Sequence, residues 1–293
     1  MTAASQGREQ VVAVTLNYNG GEHTLACLQS LADSDNPPGR IVVIDNASGD
    51  DSMACIRAAF PAIEVRLNPT NAGFGGGHNP LLQNLLETPT EWVWLINNDA
   101  RVRADTLNRL LEKARCNPAA GVIGAAIIDP LLPDAPTTYG GGTVDLWLGR
   151  SRHCHELACA GQLDYITGAC MLLRTAALRQ VGLFDPDYFM YWEDVDLCFR
   201  LKQAGWTLEV AADAVVEHHH SATVGAASPL KDRMMNASAV RFFGHHGRLG
   251  GWPAVVVGVG ARLFKRIARA DLAAVRGVWQ GTRDGLRTRR GNP

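Results

Sequence analysis

Four short apolar runs separated by helix-like segments constrain this chain more than any other feature. Val11–Leu16, Ile41–Ile44, Ile63–Leu67 and Trp92–Ile96 each have the length and composition of a strand. Leu25, Leu28 and Leu31 fall at helical spacing in the first gap, and Pro37–Gly39 breaks the chain before the second strand. Ser48–Phe60 reads as a helix with Ser48, Asp50 and Asp51 at its capped start, and a third helix is expected near Pro80–Leu86. This β-α-β-α rhythm predicts an α/β fold with a mainly parallel sheet flanked by helices. Ligands of such sheets collect beyond the carboxyl ends of the strands, so the polar residues there are the first candidates for function.

The second half is less regular. Pro130–Pro136 and Tyr139–Gly142 read as loop and turn, and a loop or hairpin is expected near Trp147–Cys159. Asp164–Arg174 is apolar but interrupted by Thr167-Gly168-Ala169. Val195–Ala204 is a helix by its spacing and Trp206–Val210 a strand. With 46% hydrophobic and 19% charged residues in 293, the chain has material for a large core, which excludes extensive disorder. The seven cysteines are odd in number and scattered, a distribution expected of a reducing compartment. Met1–Gln10 is polar, and no apolar run approaches the roughly 20 residues of a bilayer span. Trp252–Leu263 comes nearest and is interrupted by Pro253, Gly258, Gly260 and Arg262.

Six segments carry candidate chemistry. Asn17-Tyr18-Asn19 and Asp45-Asn46-Ala47-Ser48 follow the first two strands, where amides and a carboxylate can hold a base and ribose, although the same residues also serve to cap a helix. Asn71-Ala72-Gly73-Phe74-Gly75-Gly76-Gly77 is a glycine-rich loop that lets backbone amides approach a ligand, with Pro80 suited to the first turn of the helix after it. It lacks the Gly-Lys-Ser/Thr ending of a P-loop. Asn97-Asn98-Asp99 follows the fourth strand, and one carboxylate with neighbouring amides suits a divalent cation whose other ligands are phosphate oxygens. Glu193-Asp194-Val195-Asp196 opens a helix, where acids also occur for capping; a paired carboxylate beside Trp192 and Tyr191 can accept a proton from a sugar hydroxyl. Asp196 and Arg200 have the spacing of a helical ion pair, which assigns Asp194 to catalysis and Asp196 to structure. His218-His219-His220 follows an apolar segment and can complete a cation site. His153, Cys154, His155 and Cys159 lack a second ligand pair for zinc and are read as loop residues.

In this order, from about Val11 to Ser228, these motifs resemble family 2 glycosyltransferases, most closely the bacterial rhamnosyltransferase-like branch. Thr167-Gly168-Ala169, Gly182-Leu183-Phe184-Asp185 and His218 with Ser221 add to the likeness. The resemblance implies a GT-A (Rossmann-like) fold and an inverting single displacement. It implies Asn17, Asn19, Asp45, Asn71, Gly73, Phe74 and Asn98 around the nucleotide sugar, and Asp99 with His218 around Mg2+ or Mn2+. Asp194, with Glu193 beside it, is then catalytic, and Thr167, Gly168, Ala169 and Trp192 line the acceptor side. Two features depart from the family pattern: Ala100 where a small polar residue is common, and His78-Asn79-Pro80 in place of an Asn-rich helix start. The Gln/Arg-x-x-Arg-Trp signature of processive members is missing, and one sugar per encounter is expected.

The charge is unevenly divided. From Arg241 onward there are eleven Lys/Arg against two Asp/Glu, whereas the first 240 residues carry seventeen against 27. The expected organisation is therefore a glycosyltransferase domain over 1–240 and a basic extension over 241–293 that associates with membrane. Within the domain, a nucleotide-sugar half spans about 10–125 and an acceptor half about 126–240. Ala261–Val275 has an amphipathic pattern in which Arg262, Lys265, Arg266 and Arg269 lie close to Leu263, Phe264 and Ile267, suited to an anionic headgroup layer. No nucleic-acid motif accompanies the basic charge.

The expected activity is metal-dependent transfer of L-rhamnose from dTDP-rhamnose to a polyprenyl-diphosphate-linked saccharide in bacterial cell-wall or surface polysaccharide synthesis. The expected place is the cytoplasmic face of the membrane, and a homodimer is one assembly the sequence allows. UDP-galactofuranose, UDP-glucose or UDP-N-acetylglucosamine are the alternative donors, and a non-catalytic nucleotide- or membrane-binding scaffold is the alternative class. A nucleotidyltransferase would carry a cation after its first strand, and Asn17–Glu22 has none.

Overall fold

The computed structural model describes residues 11–218 and 228–288. All four expected strands are present: β1 (Val11–Asn17), β2 (Arg40–Asp45), β3 (Glu64–Leu67) and β4 (Trp92–Ile96). They alternate with α1 (Gly21–Ala32), α2 (Ser52–Ala59) and α3 (Gly73–Leu86). The chain continues through β5 (Ala100–Val102), α4 (Thr106–Cys116), β6 (Ala120–Asp129), β7 (Leu132–Tyr139), β8 (Gly141–Asp145), β9 (Arg150–His153), β10 (Tyr165–Ile166), β11 (Cys170–Arg174), α5 (Thr175–Val181), α6 (Glu193–Gln203) and β12 (Thr207–His218). Three helices follow: α7 (Pro229–His246), α8 (Trp252–Ile267) and α9 (Leu272–Thr288).

The main sheet has the order β3-β2-β1-β4-β11-β6-β12-β5, with β7 on β6. β1 to β4 pair in parallel, as do β6 and β12, and antiparallel β11 joins the two sets. The strands are apolar on both sides because both faces are covered. Val12 and Val14 enter one core with Leu81, Leu82, Leu85 and Phe242, and Val11 and Ala13 enter the other with Leu31, Leu107 and Leu110. A second, antiparallel sheet, β10-β8-β9, stands beside the acceptor half.

Several expectations change in detail. The glycine-rich segment is the first two turns of α3 rather than a loop, and Pro80 lies inside that helix. The glycines serve close packing here: a Cβ on Gly73, whose φ is +76°, would collide with the carbonyl oxygen of Phe189, and one on Gly77 would lie 2.5 Å from Leu16 Cδ1. Cys154 and Cys159 are joined as a disulfide, with their Cα atoms 5.8 Å apart, where scattered thiols were expected. The expected boundary at 240/241 falls inside α7, whose Val240, Phe242 and Phe243 belong to the main core. The C-terminal helices therefore start at Pro229, integral to the domain. Gly277, Gly281 and Gly285 form one stripe of α9, and a Cβ on any of them would strike the carbonyls of Pro229, Arg233 and Ala237 on α7. Among the described residues, no helix is long and apolar enough to cross a membrane.

Candidate active site

The polar residues at the strand ends form one closed rim. Asn17, fully buried at the end of β1, donates from Nδ2 to Asp45 Oδ1 (3.3 Å), Ser48 Oγ (3.0 Å) and Ser52 Oγ (2.9 Å). Its Oδ1 accepts from Thr24 Oγ1 (2.8 Å), and Thr24 in turn accepts from Asn98 Nδ2 (3.2 Å). Asn97 N–H donates to the Ala169 carbonyl (3.1 Å), and Gly168 N–H to Asp194 Oδ2 (2.8 Å). A Cβ on Gly168 would sit 3.2 Å from Phe74 Cζ. The α3 start then returns to β2 through Asn46, whose Nδ2 donates to Asn71 Oδ1 (2.9 Å) and the Gly73 carbonyl (3.0 Å). Motifs up to 177 residues apart, from Asn17 to Asp194, thus share one rim.

The rim divides its labour. Asn17 has no exposed surface, so it positions the Asp45–Ser48 turn rather than touching a ligand. Asp45, 7% exposed, makes two long contacts, from Asn17 and from Ser48 N–H (both 3.3 Å), which leaves lone pairs for further donors. Asn19 has φ 52° and is exposed, its Oδ1 accepting from Gly49 N–H (2.8 Å). Asn46 and Thr24 were not singled out in the sequence. Asn46 stood inside a quoted motif, and Thr24 shares the inner helical face of Leu28 and Leu31.

Asp99 and His218 face each other because β5 pairs with β12, with His218 opposite Ala100. Asp99 Oδ1 lies 3.0 Å from His218 Nε2 without hydrogen-bond alignment, and Asn97 Nδ2 is 3.2 Å from the same nitrogen. A buried carboxylate oxygen without an aligned donor, beside an imidazole nitrogen, fits a divalent cation. No cluster of three or more His, Cys, Asp or Glu exists among the described residues, so a cation held here needs oxygens from its ligand. His219 and His220 lie outside the described residues.

Two successive left-handed residues, Tyr191 and Trp192 (both φ 69°), turn the chain sharply into α6 and deliver Glu193 and Asp194. Such backbone, strained outside glycine, commonly marks functional sites. Asp194 accepts from Gly168 N–H through Oδ2 and from Val195 N–H through Oδ1 (both 2.8 Å). Burial raises the pKa of Asp194, and these two bonds oppose it. Glu193 is 5% exposed, its Oε2 has no hydrogen-bond partner, and burial followed by the Asp194 charge pushes its pKa well up. Asp194 has two N–H donors and Glu193 Oε2 has none, so the anion of this pair is favoured on Asp194.

Trp192, expected on the acceptor side, is instead packed against Phe242 and Phe243, with ring centroids 4.9 Å away in each case. Its apolar bulk is spent inside the core. Asp196 is structural, as expected: it accepts from Arg200 Nε (2.8 Å) and meets His246 Nε2 (2.8 Å), which ties α6 to α7. His78 is buried against Phe74, its pKa lowered to about 4 by burial, with Nδ1 donating to the Phe74 carbonyl (2.8 Å). The departure His78-Asn79-Pro80 is thus a packing feature of α3.

A mainly parallel α/β sheet with polar strand ends, followed by a second half that bears the Glu193–Asp194 pair, has the architecture of the GT-A fold. Residues 9–237 match the family model described as "Glycosyltransferase like family 2". The chain is 32% identical over 240 residues to the N-acetylglucosaminyl-diphospho-decaprenol L-rhamnosyltransferase of Mycobacterium tuberculosis, covering 73% of this chain and 77% of that one. A 60-residue stretch, 20% of this chain and 23% of the relative, is 43% identical to the rhamnosyltransferase WbbL of Escherichia coli. The fold is similar to that of the mannosyltransferase PcManGT from Pyrobaculum calidifontis, solved with GDP-Man and Mn2+ (TM-score 0.61, 16% identity, 94% of this chain and 87% of that one). It is also similar to Staphylococcus aureus TarS residues 1–349 (TM-score 0.55, 16% identity, 97% and 92%). The chain belongs to glycosyltransferase family 2 and is a glycosyltransferase.

Proposed function

We propose that the chain transfers L-rhamnose from dTDP-rhamnose, with inversion, to a saccharide on a polyprenyl diphosphate, in synthesis of a bacterial cell-wall or surface polysaccharide. The observation that carries the reading is Asp194, a half-buried carboxylate held by Gly168 N–H on the same rim as Asp45 and Asp99. Similarity to the mycobacterial rhamnosyltransferase, whose name specifies a diphospho-decaprenol-linked N-acetylglucosamine, supports the donor and the acceptor class.

In this reading Asp45 accepts from the nucleoside while Asn17 fixes its orientation, and the α3 start at Asn71–Phe74 closes over the donor. Asn19 and Asn98 flank it. Asp99 and His218 would hold Mg2+ or Mn2+, which when bound would neutralise charge on the departing diphosphate. Thr167, Gly168 and Ala169 orient the acceptor so that its hydroxyl faces Asp194. The hydroxyl oxygen forms a bond to the anomeric carbon, the bond to the diphosphate oxygen breaks with its electron pair, and the proton passes to Asp194. Glu193, buried and without a partner on Oε2, disfavours a second negative charge beside the incoming hydroxyl. Catalysis takes place at the cytoplasmic face of the membrane, against an anionic lipid surface.

The test is transfer to a short-chain polyprenyl-diphospho-N-acetylglucosamine from dTDP-rhamnose and from UDP-linked competitors, with product anomericity read by NMR. An inverted rhamnoside is expected. Turnover of a UDP-sugar alone, or retention at the anomeric carbon, contradicts the reading.

A further inference from the structure

The C-terminal helices present a surface that the active site does not use. α8 packs Ala254, Val255 and Gly258 inward, and its outer arc carries Val256, Val257, Phe264 and Ile267, exposed by 65%, 43%, 75% and 61%. Gly260 and Leu263 complete that arc, and no charged or polar side chain lies on it. From Val256 to Ile267 this stripe is about 18 Å long. A soluble helix ordinarily turns polar residues to water, and an unbroken apolar outer face marks a contact surface.

The cations expected on this helix are redistributed. Arg262 is drawn inward to Asn236 Oδ1 (2.7 Å) and the Gly149 carbonyl (3.2 Å), and Arg266 pairs with Asp232 (2.6 Å). Further exposed cations belong to the same C-terminal helices. Lys265 and Arg269 follow on α8 and the turn after it, and Arg276, Arg283 and Arg287 share one face of α9 with Trp279.

A second element joins this face. The β8–β9 turn seats Gly149 against Ala254 and Gly258 so tightly that a Cβ there would strike the Ala254 carbonyl. Trp147 and Leu148, 49% and 41% exposed, are thereby held alongside α8. The same hairpin runs back to the acceptor side: Gly142 of β8 pairs with Tyr165, two residues before Thr167, and Asp145 lies three residues further along. Three strand steps span roughly 10 Å, so the turn sits one short strand away from the loop that holds Asp194.

We propose that the outer face of α8, with Trp147 and Leu148 beside it, docks onto an anionic lipid bilayer. This deepens the lipid-linked-acceptor reading and rests on it. Charge decides between a bilayer and a second copy of the chain. Lys265, Arg269, Arg276, Arg283 and Arg287 of these helices are exposed, so pairing this face with its own copy would bring like charges together, whereas anionic headgroups neutralise them. Docked this way, the stripe lies in the interface with its axis in the membrane plane, and a lipid-anchored diphosphate reaches the Thr167 loop along the β8–β9 hairpin.

The test uses the full chain with vesicles of phosphatidylglycerol and phosphatidylcholine, against pure phosphatidylcholine, at about 0.15 M salt. Wild-type protein is expected to float with the anionic vesicles and not the neutral ones. Val256→Glu/Phe264→Glu is expected to weaken that binding about tenfold or more, keep wild-type thermal stability, and retain turnover of a water-soluble acceptor. Arg276→Glu/Arg283→Glu provides a second route, reducing the preference for anionic vesicles without touching the stripe. Wild-type-like flotation of both variants overturns the proposal, as does equal binding of the wild type to neutral vesicles or no binding at all. A wild-type dimer that the Val256→Glu/Phe264→Glu variant converts to monomer also overturns it, assigning the face to a second copy. Vesicle binding without turnover of any donor leaves the surface standing and removes the glycosyltransferase reading instead.

Discussion

Replacing Glu193 by Gln removes a titration without removing volume, and its effect follows from where the proton sits. The folded protein holds this carboxyl protonated well above its ordinary value of 4.5, because burial and then the Asp194 charge disfavour the anion. The unfolded chain releases the same proton near 4.5. Above that pH the folded state binds more protons than the unfolded one, so stability falls as pH rises, until the folded group itself ionises. The slope contributed by one such group is about 1.4 kcal/mol per pH unit. Gln presents an amide in place of a neutral acid, so the two proteins have similar stability near pH 5. As pH rises above 5 the variant is expected to gain on wild type, at most at that slope, seen as a rise in relative Tm at roughly 2–4 °C per kcal/mol. Urea melts of both proteins at half-unit pH steps measure the difference directly. Parallel stability curves for wild type and Glu193→Gln refute a proton held on Glu193.

Asp194→Asn is expected to lower kcat by about 10²–10⁴-fold while dTDP binding, read by calorimetry, is unchanged. The acid limb of kcat/KM for wild type is expected above the ordinary carboxylate range, because burial raises the Asp194 pKa; activity is lost as pH falls through that value. His246→Ala removes the contact to Asp196 and is expected to destabilise the fold by roughly 1.5–3 kcal/mol, measured by urea unfolding. Gly73→Ala forces a Cβ into the Phe189 carbonyl at φ +76°, and a Tm loss accompanied by weaker nucleotide binding is expected from backbone strain of roughly 1–3 kcal/mol.

The parallel half was legible because its signals are local. Val11–Leu16 and Trp92–Ile96 are apolar on both faces, and Asn17, Asp45 and Asn97 follow where a strand must end. The rim was legible as separate motifs, and the contacts from Asn97 to Ala169 and from Gly168 to Asp194 show why they occur together. What local reading missed depends on tertiary packing. Helix propensity argues against Gly73–Gly77 as helix, yet close contacts with Phe189, Phe184 and Leu16 leave room for little else. Trp192 beside two acids looked like a sugar platform, and only α7 reveals it as core. The boundary at 240 followed net charge, which says nothing of where a helix starts. Arg262 and Arg266 were grouped with surface cations because their inward partners, Asn236 and Asp232, lie in another helix.

The central claim is that Asp45, Asp99 and Asp194 serve one nucleotide-sugar site. The most direct measurement is transfer from a panel of nucleotide sugars, with and without Mn2+ or Mg2+, by wild type and Asp99→Ala, with nucleotide binding followed in parallel. The account predicts turnover of dTDP-rhamnose that requires the cation, and a folded Asp99→Ala protein that loses both cation-dependent binding and turnover. Cation-independent turnover, or full activity of Asp99→Ala, would contradict it.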